Sequence, residues 1–384
     1  MTDLTPVAML ARHVGFDTTS RDSNLALIQF VADYLKGFGV EAALTHDDEG
    51  RKANLFATLG AGREGGVVLS GHTDVVPVDG QPWDTDPFTL TEKEGRLHGR
   101  GTCDMKGFLA TALALAPEIV RRRPKIPVHL ALSYDEEVGC VGVGRLIAQA
   151  LATGVKPRAV IVGEPTEMKV VDAHKGLYSF RTTVTGREAH SSLTDKGVNA
   201  IVAAADLIGF LARLAEEMAG RADRESGFDP PYTTIQIGTI EGGTALNIVP
   251  RRCSFVWEYR LMPGADEDEV VRRFQAHCDE QRPRLQARAE ESNIVTEAVN
   301  RVPGLEPDPG SAAERLALAL AGSNRTHKVP YGTEAGLFQR AGMATIVCGP
   351  GSINQAHKPN EFVERAQIDA CEAFLRRLLD HVCA

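Results

Sequence analysis

The 384-residue chain lacks several features that would each point to a class of function. It has no basic tract to neutralise phosphates and its formal charge is −9, which argues against nucleic acid as a partner. The one cluster, Arg121–Arg122–Arg123, suits the last turn of a helix, where cations complement the dipole. No apolar run reaches the roughly 20 residues that span a bilayer, and the first dozen residues have no basic stretch leading into an apolar one. No membrane partner is therefore expected. The seven cysteines (103, 140, 253, 278, 348, 371 and 383) are odd in number and scattered, with no C-x-x-C pair. That argues against a disulfide framework or a zinc finger and fits a reducing, cytoplasmic setting. Missing too are a G-x-S-x-G elbow, a Walker loop and a complete G-x-G-x-x-G fingerprint, since Gly142-Val143-Gly144 has no third glycine.

What is present begins as an alternation. Val67–Leu69, Val128–Leu132 and Ala159–Val162 are apolar runs too short for helices and without polar alternation, as in strands buried on both faces. Helical periodicity over 106–123 and 139–152 separates them. The pattern predicts an α/β domain with a mixed, largely parallel sheet flanked by helices. Beyond Lys175 the texture changes. Leu177–Thr185 alternates, Asn199–Met218 is amphipathic, Tyr232–Ile240 and Ser254–Arg260 read as strands, and Asp266–Gln281 reads as a helix. This β-α-β-β-α order predicts a smaller α+β, ferredoxin-like domain inserted into the larger one. The expected boundaries are 1–175 and 290–384 for the outer domain and 176–289 for the insert.

The chemistry-bearing residues fall at strand ends. His72 follows the first apolar run, Glu136 and Glu137 the second and Glu164 the third, while His357 follows the strand 344–348. In an open parallel sheet, ligands gather beyond the carboxyl ends of the strands. These five residues should therefore converge on one rim, joined by Asp104 from the glycine-rich turn Gly99–Gly107. Taken singly, each has a plainer reading: a hydrogen-bonded histidine, a solvated Glu-Glu pair, or an aspartate capping the helix that follows it. Taken together, four carboxylates so crowded would repel and hold protons. Two divalent cations resolve that, and imidazole plus carboxylate donors suit zinc or cobalt better than magnesium or calcium. Asp74 reads either as a turn residue or as the carboxylate that takes the other ring N–H of a metal-bound His72.

The motifs Ser70-Gly71-His72-Thr73-Asp74-Val75-Val76-Pro77, Gly99-Arg100-Gly101 to Asp104-Met105-Lys106-Gly107, Asp135-Glu136-Glu137-Val138-Gly139, Gly163-Glu164-Pro165-Thr166 and Ala356-His357-Lys358-Pro359-Asn360-Glu361 occur in this order. With them the whole chain resembles the co-catalytic di-zinc peptidase/deacylase family, which includes deacetylases, desuccinylases, carboxypeptidase G and the aminoacylases. The resemblance implies a zinc-peptidase-like outer domain and a lid that also makes a homodimer. It implies that His72 and Glu164 bind one ion, that Glu137 and His357 bind the other, and that Asp104 bridges both through a cis peptide to Met105. Glu136 would be the general base, taking the proton of a water bridging the ions.

In the insert, His190 matches a family histidine that reaches into the partner subunit's active site, and Asn247 and Arg260 match substrate-holding positions. Read bare, His190 is equally a surface histidine and Arg260 a salt-bridge partner. Residues 79–88, 173–176 and 331–338 resemble the deacetylase branch acting on N-acetylornithine. That implies a small-molecule N-acyl amino acid substrate and a place in arginine biosynthesis. Glu334 is then either a helix N-terminal acid or the group that receives a substrate ammonium. A desuccinylase, a general aminoacylase or a dipeptidase would share the metal site, and a non-catalytic binding protein on the same scaffold is the reading from another class.

Overall fold

The structure, a computed structural model, describes residues 3–384. The chain divides into two compact units. One comprises residues up to Ala173 with Leu305–Lys328 and Thr333–Ala384, and the other His174–Gly304 with Val329–Gly332.

The first unit is built on an eight-stranded sheet in the order Ala42–His46, Ala53–Leu59, Val128–Ser133, Val67–His72, Ala159–Val162, Thr345–Val347, Val171–His174, His327–Val329. The four strands from Val128–Ser133 to Thr345–Val347 run parallel to one another, with antiparallel strands on either side. The central strands Val67–His72, Val128–Ser133 and Ala159–Val162 are buried throughout, as their unbroken apolar runs require. Helices Pro6–Val14, Leu25–Lys36, Gly107–Arg122, Ala312–Ala321 and Arg365–Cys383 supply the core residues that cover this sheet, among them Met9, Leu27, Phe108, Leu316 and Phe374. Arg121 and Arg122 do occupy a helix's last turn, and Arg123 caps it in the left-handed conformation.

The second unit has one antiparallel sheet, ordered Thr234–Gly242, Arg252–Leu261, Gly176–Thr185, Asn293–Val302, with helices Ala200–Gly220 and Glu269–Gln286 packed on one face. Strand Arg252–Leu261 alternates strictly between covered and open positions. Its inward residues Phe255, Trp257 and Tyr259 meet Phe180, Tyr178 and Phe274 in an aromatic core. The connectivity is β-α-β-β-α-β, one strand longer than the pattern expected. The extra strand, Asn293–Val302, pairs along its length with Gly176–Thr185, so this unit runs to Gly304 rather than ending at 289. None of the described helices is long and apolar enough to cross a membrane.

Candidate metal centre

The four adjacent parallel strands all point their carboxyl ends the same way, and the site forms there. His72 is the last residue of its strand, Glu164 lies two residues beyond Val162, and Glu136 and Glu137 lie in the turn after Ser133. His357 sits in the loop after Thr345–Val347 with a left-handed φ of 64°. Gly163 lets Glu164 lie this close to the core, because a Cβ there would fall 2.0 Å from the Phe108 ring.

Asp104 arrives from the other side, in the wide turn Thr102–Lys106 that opens helix Gly107–Arg122, and its peptide bond to Met105 is cis. This turn is held by a residue that sequence reasoning left without a role. Glu361, fully buried, accepts the backbone N–H groups of Gly101 (3.0 Å), Cys103 (2.9 Å) and Asp104 (3.1 Å) and an Arg100 N–H at 2.7 Å. Its motif neighbour His357 was the only signal that could have drawn attention to it.

The candidate ligands converge as two triplets sharing Asp104. His72 Nε2 lies 3.0 Å from Asp104 Oδ1 and 3.8 Å from Glu164 Oε1, and His357 Nε2 lies 3.1 Å from Asp104 Oδ2 and 3.0 Å from Glu137 Oε2. Two donors each about 2.1 Å from one tetrahedral ion lie roughly 3.4 Å apart, which is this spacing. The tautomer of His72 argues the same way. Its Nδ1 faces the Asp74 carbonyl at 2.9 Å, and a carbonyl only accepts, so Nδ1 carries the proton and Nε2 is free as a ligand. Glu137 Oε1 is buried and has no hydrogen-bond partner. The residues therefore fit two divalent cations with Asp104 between them.

This corrects the expected role of the Asp74 side chain. Its carboxylate stands 3.7 Å from His72 Nδ1, and the backbone carbonyl is the orienting group. The carboxylate instead accepts the N–H groups of Glu136 (3.1 Å) and Glu137 (3.2 Å) and the Ser20 hydroxyl (2.8 Å), and so fixes the turn that carries both glutamates.

Without cations the cluster holds protons. Burial and the neighbouring carboxylates push Glu164 well up and Glu137 to about 7. Glu136, which keeps some surface at the mouth of the site but whose carboxyl is enclosed by its neighbours, is also pushed well up, by desolvation against the opposing charge of His72. For Asp104, burial is outweighed by hydrogen bonds with His357 and His72, which hold it below the usual carboxylate range. The hydrogen bonds to Asp104 and Glu137 raise His357 to about 11. Glu334 joins the site at the start of helix Ala335–Arg340. It is 0 % exposed with neither oxygen in a well-formed hydrogen bond, and burial lifts it to about 7 while nearby Ser133 offsets part of the rise.

The other three candidates lie in the second unit. His190 is exposed, with Nδ1 2.8 Å from Ser192 Oγ, and it bridges to Ile248 beside exposed Asn247. Arg260 is half-buried near the end of strand Arg252–Leu261, with loose contacts of 3.3 and 3.4 Å to Glu258.

A fold with its donor set at the carboxyl rim, two histidine–carboxylate triplets and one shared aspartate, describes a dinuclear hydrolase. The family model for peptidase family M20/M25/M40 matches residues 68–381, and the chain belongs to that family. It is similar over its whole length to an acetylornithine deacetylase of Myxococcus xanthus, 37 % identical with 100 % of this chain and 99 % of the relative covered. An acetylornithine deacetylase of Proteus mirabilis is 36 % identical, covering 96 % and 92 %. Among solved structures, an M20 family metallo-carboxypeptidase of Sulfolobus solfataricus shares the fold at a TM-score of 0.78 and 19 % identity, with both chains fully covered. A dinuclear metal-binding M20 peptidase of Bacillus subtilis shares it at 0.63 and 14 %, with 98 % of each covered. As a member of this family the chain is a hydrolase of linear amide bonds.

Proposed function

We propose that the chain hydrolyses the amide of N2-acetyl-L-ornithine, releasing L-ornithine and acetate in arginine biosynthesis. The observation that carries the reaction type is the pair of triplets sharing Asp104 with Glu136 beside them. The substrate is supported by the full-length likeness to the two deacetylases.

His72 and Glu164 would hold one zinc ion and Glu137 and His357 the other, with Asp104 between them and cobalt able to substitute. Bound there, the ions would polarise the scissile carbonyl and lower the pKa of water. Glu136 accepts the proton of the attacking water and returns it to the departing α-amine, a role worth about 10²–10⁴-fold. Arg260 holds the α-carboxylate, a task suited to the planar guanidinium, and its loose bonds to Glu258 leave it free to exchange partners, while Asn247, which lies beside His190 in its own insert, meets the substrate together with that histidine. Glu334, buried and without a well-formed hydrogen bond, is suited to receive the substrate's side-chain ammonium.

His190 is assigned to the developing oxyanion, supplied by a second copy of the chain. Within one insert the segment 186–190 runs beside 248–251, at the Arg252 end of strand Arg252–Leu261. Arg260 lies eight residues along from Arg252, so at ~3.3 Å per residue it is roughly 26 Å from that end of the strand. A single small substrate does not span that distance, which favours a homodimer. The apolar residues exposed on the insert, Leu246 at 100 %, Val202 at 66 %, Ile240 at 55 % and Leu193 at 50 %, favour it too. All seven cysteines are unpaired, which supports a reducing, cytoplasmic setting.

A panel of N-acetyl-L-ornithine, N-succinyl-diaminopimelate, N-acetyl-methionine and a dipeptide, ranked by kcat/KM on zinc-loaded protein, tests the reading. N-acetyl-L-ornithine should lead by about tenfold or more. Leadership by another member would move the chain to the corresponding branch, and no turnover at all would return it to a binding protein. Chelation should abolish turnover, and zinc or cobalt should restore it.

A further inference from the structure

The turn that carries Glu136 is closed by its own backbone. The N–H groups of Gly139 and Cys140 donate to the Glu136 carbonyl at 2.8 and 2.9 Å, and those of Val141 and Gly142 donate to Asp135 and Tyr134 at 3.0 and 3.2 Å. With Asp74 holding the Glu136 N–H, the backbone of this residue is fixed. A carboxylate on a fixed backbone still has three side-chain torsions to settle before it can meet a water reproducibly.

Cys140 folds back onto that carboxylate, its Sγ 3.5 Å from Glu136 Oε1. The residue is buried, and it stands at φ 55°, in the left-handed region where a Cβ is disfavoured and glycine is the usual occupant. Glycines flank the position at 139 and 142, and glycine at 140 would relieve the backbone while removing the thiol. Burial and the charges of Glu136 and Glu334 push this thiol well above its ordinary pKa, so it remains a donor.

We propose that Cys140 is a positioning residue for the reaction, its S–H donating to Glu136 Oε1 and so orienting the opposite oxygen toward the attacking water. The proposal rests on Glu136 being the general base. A thiol is a weak donor, so the hold is light, and the carboxylate can still rotate when it passes its proton to the amine. Cys140 belongs to neither ligand triplet, and all seven cysteines are unpaired.

The test compares Cys140→Ala, Cys140→Ser and Glu136→Gln in the zinc-loaded full-length protein, with N-acetyl-L-ornithine as substrate. Alanine and serine carry the same Cβ as cysteine at φ 55°, so the backbone cost is unchanged and only the donor differs. Cys140→Ala should lower kcat by about three- to tenfold with KM within about twofold, the fold-change of one lost weak hydrogen bond. Two bound metals and the thermal midpoint should be retained. Cys140→Ser restores a donor and should recover at least about half of the wild-type kcat. A wild-type kcat in Cys140→Ala overturns the proposal. So does a serine variant as slow as the alanine one, or a loss confined to KM, metal content or thermal midpoint. Glu136→Gln separates the two readings. If it stays active, the general base is elsewhere and the role of Cys140 falls with it. If it is dead while Cys140→Ala is normal, only the thiol's role is lost.

Discussion

The two units hold their candidate functional groups in opposite ways. In the first, His72, Asp104 and Glu164 are buried and Glu136 is enclosed, and all but Glu164 are locked by bonds from deeper groups: the Asp74 carbonyl on His72, the Asp74 carboxylate under Glu136 and Glu137, and Glu361 behind Asp104. In the second, His190 and Asn247 lie on an open surface and Arg260 is held at 3.3–3.4 Å by a neighbour on its own strand. The contrast follows from the tasks. Like charges can be packed at bonding distance only if their positions are fixed before the cations arrive, whereas groups that meet a substrate must be free to approach it.

The largest expected effect tests the locked half. Glu136→Gln should reduce kcat by about 10²–10⁴-fold while two metals stay bound, measured by steady-state kinetics with metal analysis. Near-normal turnover would show that this closely bonded turn does not carry the base. Next is Glu361→Ala. It leaves the Arg100 guanidinium, 1 % exposed, buried without its carboxylate, and frees three backbone N–H groups. A loss of about 3–5 kcal/mol in urea unfolding is expected, with weaker metal retention. A stability change below about 1 kcal/mol would mean that the Asp104 turn holds itself.

The open half is tested by His190→Ala, expected to lower kcat by about 10²-fold with the dimer and metal content intact in sedimentation and metal assays. Mixing it with Glu136→Gln sharpens the comparison. If His190 acts on the other copy's site, one dimer in two is mixed and has one complete site, so about a quarter of wild-type activity returns. No recovery after subunit exchange would place His190 in its own chain's site.

These contrasts show what the sequence made legible. The candidate ligands His72, Glu137 and Glu164 were readable because each stands within a few residues of a buried strand's end, a local signal, whereas Asp104 and His357 were readable through the motifs around them. Glu361 was not, because its partners Arg100, Gly101, Cys103 and Asp104 lie 257–261 positions away and only the fold brings them together. Asp74 was found with two readings open, as a turn residue or as the orienting carboxylate, and spacing could not point to its carbonyl, since it cannot tell a carbonyl from a carboxylate of the same residue. The strand Asn293–Val302 was missed for a related reason. It lies at the edge of its sheet, and most of its residues are exposed, so it lacks the apolar alternation that marks a strand in sequence.

The smallest effect bears on the same contrast through acid. His13 is 0 % exposed with neither ring nitrogen hydrogen-bonded, and burial, with Lys106 nearby, lowers its pKa from 6.5 to about 3. His129, stacked on Phe56, is lowered by burial to about 4. Both are depressed on folding, so below pH 6.5 the unfolded chain takes up protons that the folded unit refuses. The stability they contribute is present above 6.5 and lost as pH falls toward 4 and 3. At pH 5.5, His13 alone should account for about 1.4 kcal/mol of loss relative to pH 7.5. His13→Phe keeps a ring against Phe30 and should remove that increment. The chain has two tryptophans, Trp83 in the first unit and Trp257 in the second, so fluorescence follows each unit during urea unfolding. Trp83 should report the acid loss, and its shift should shrink in His13→Phe. An equal loss at Trp257, unmoved by the substitution, would mean that acid sensitivity does not follow burial in the first unit.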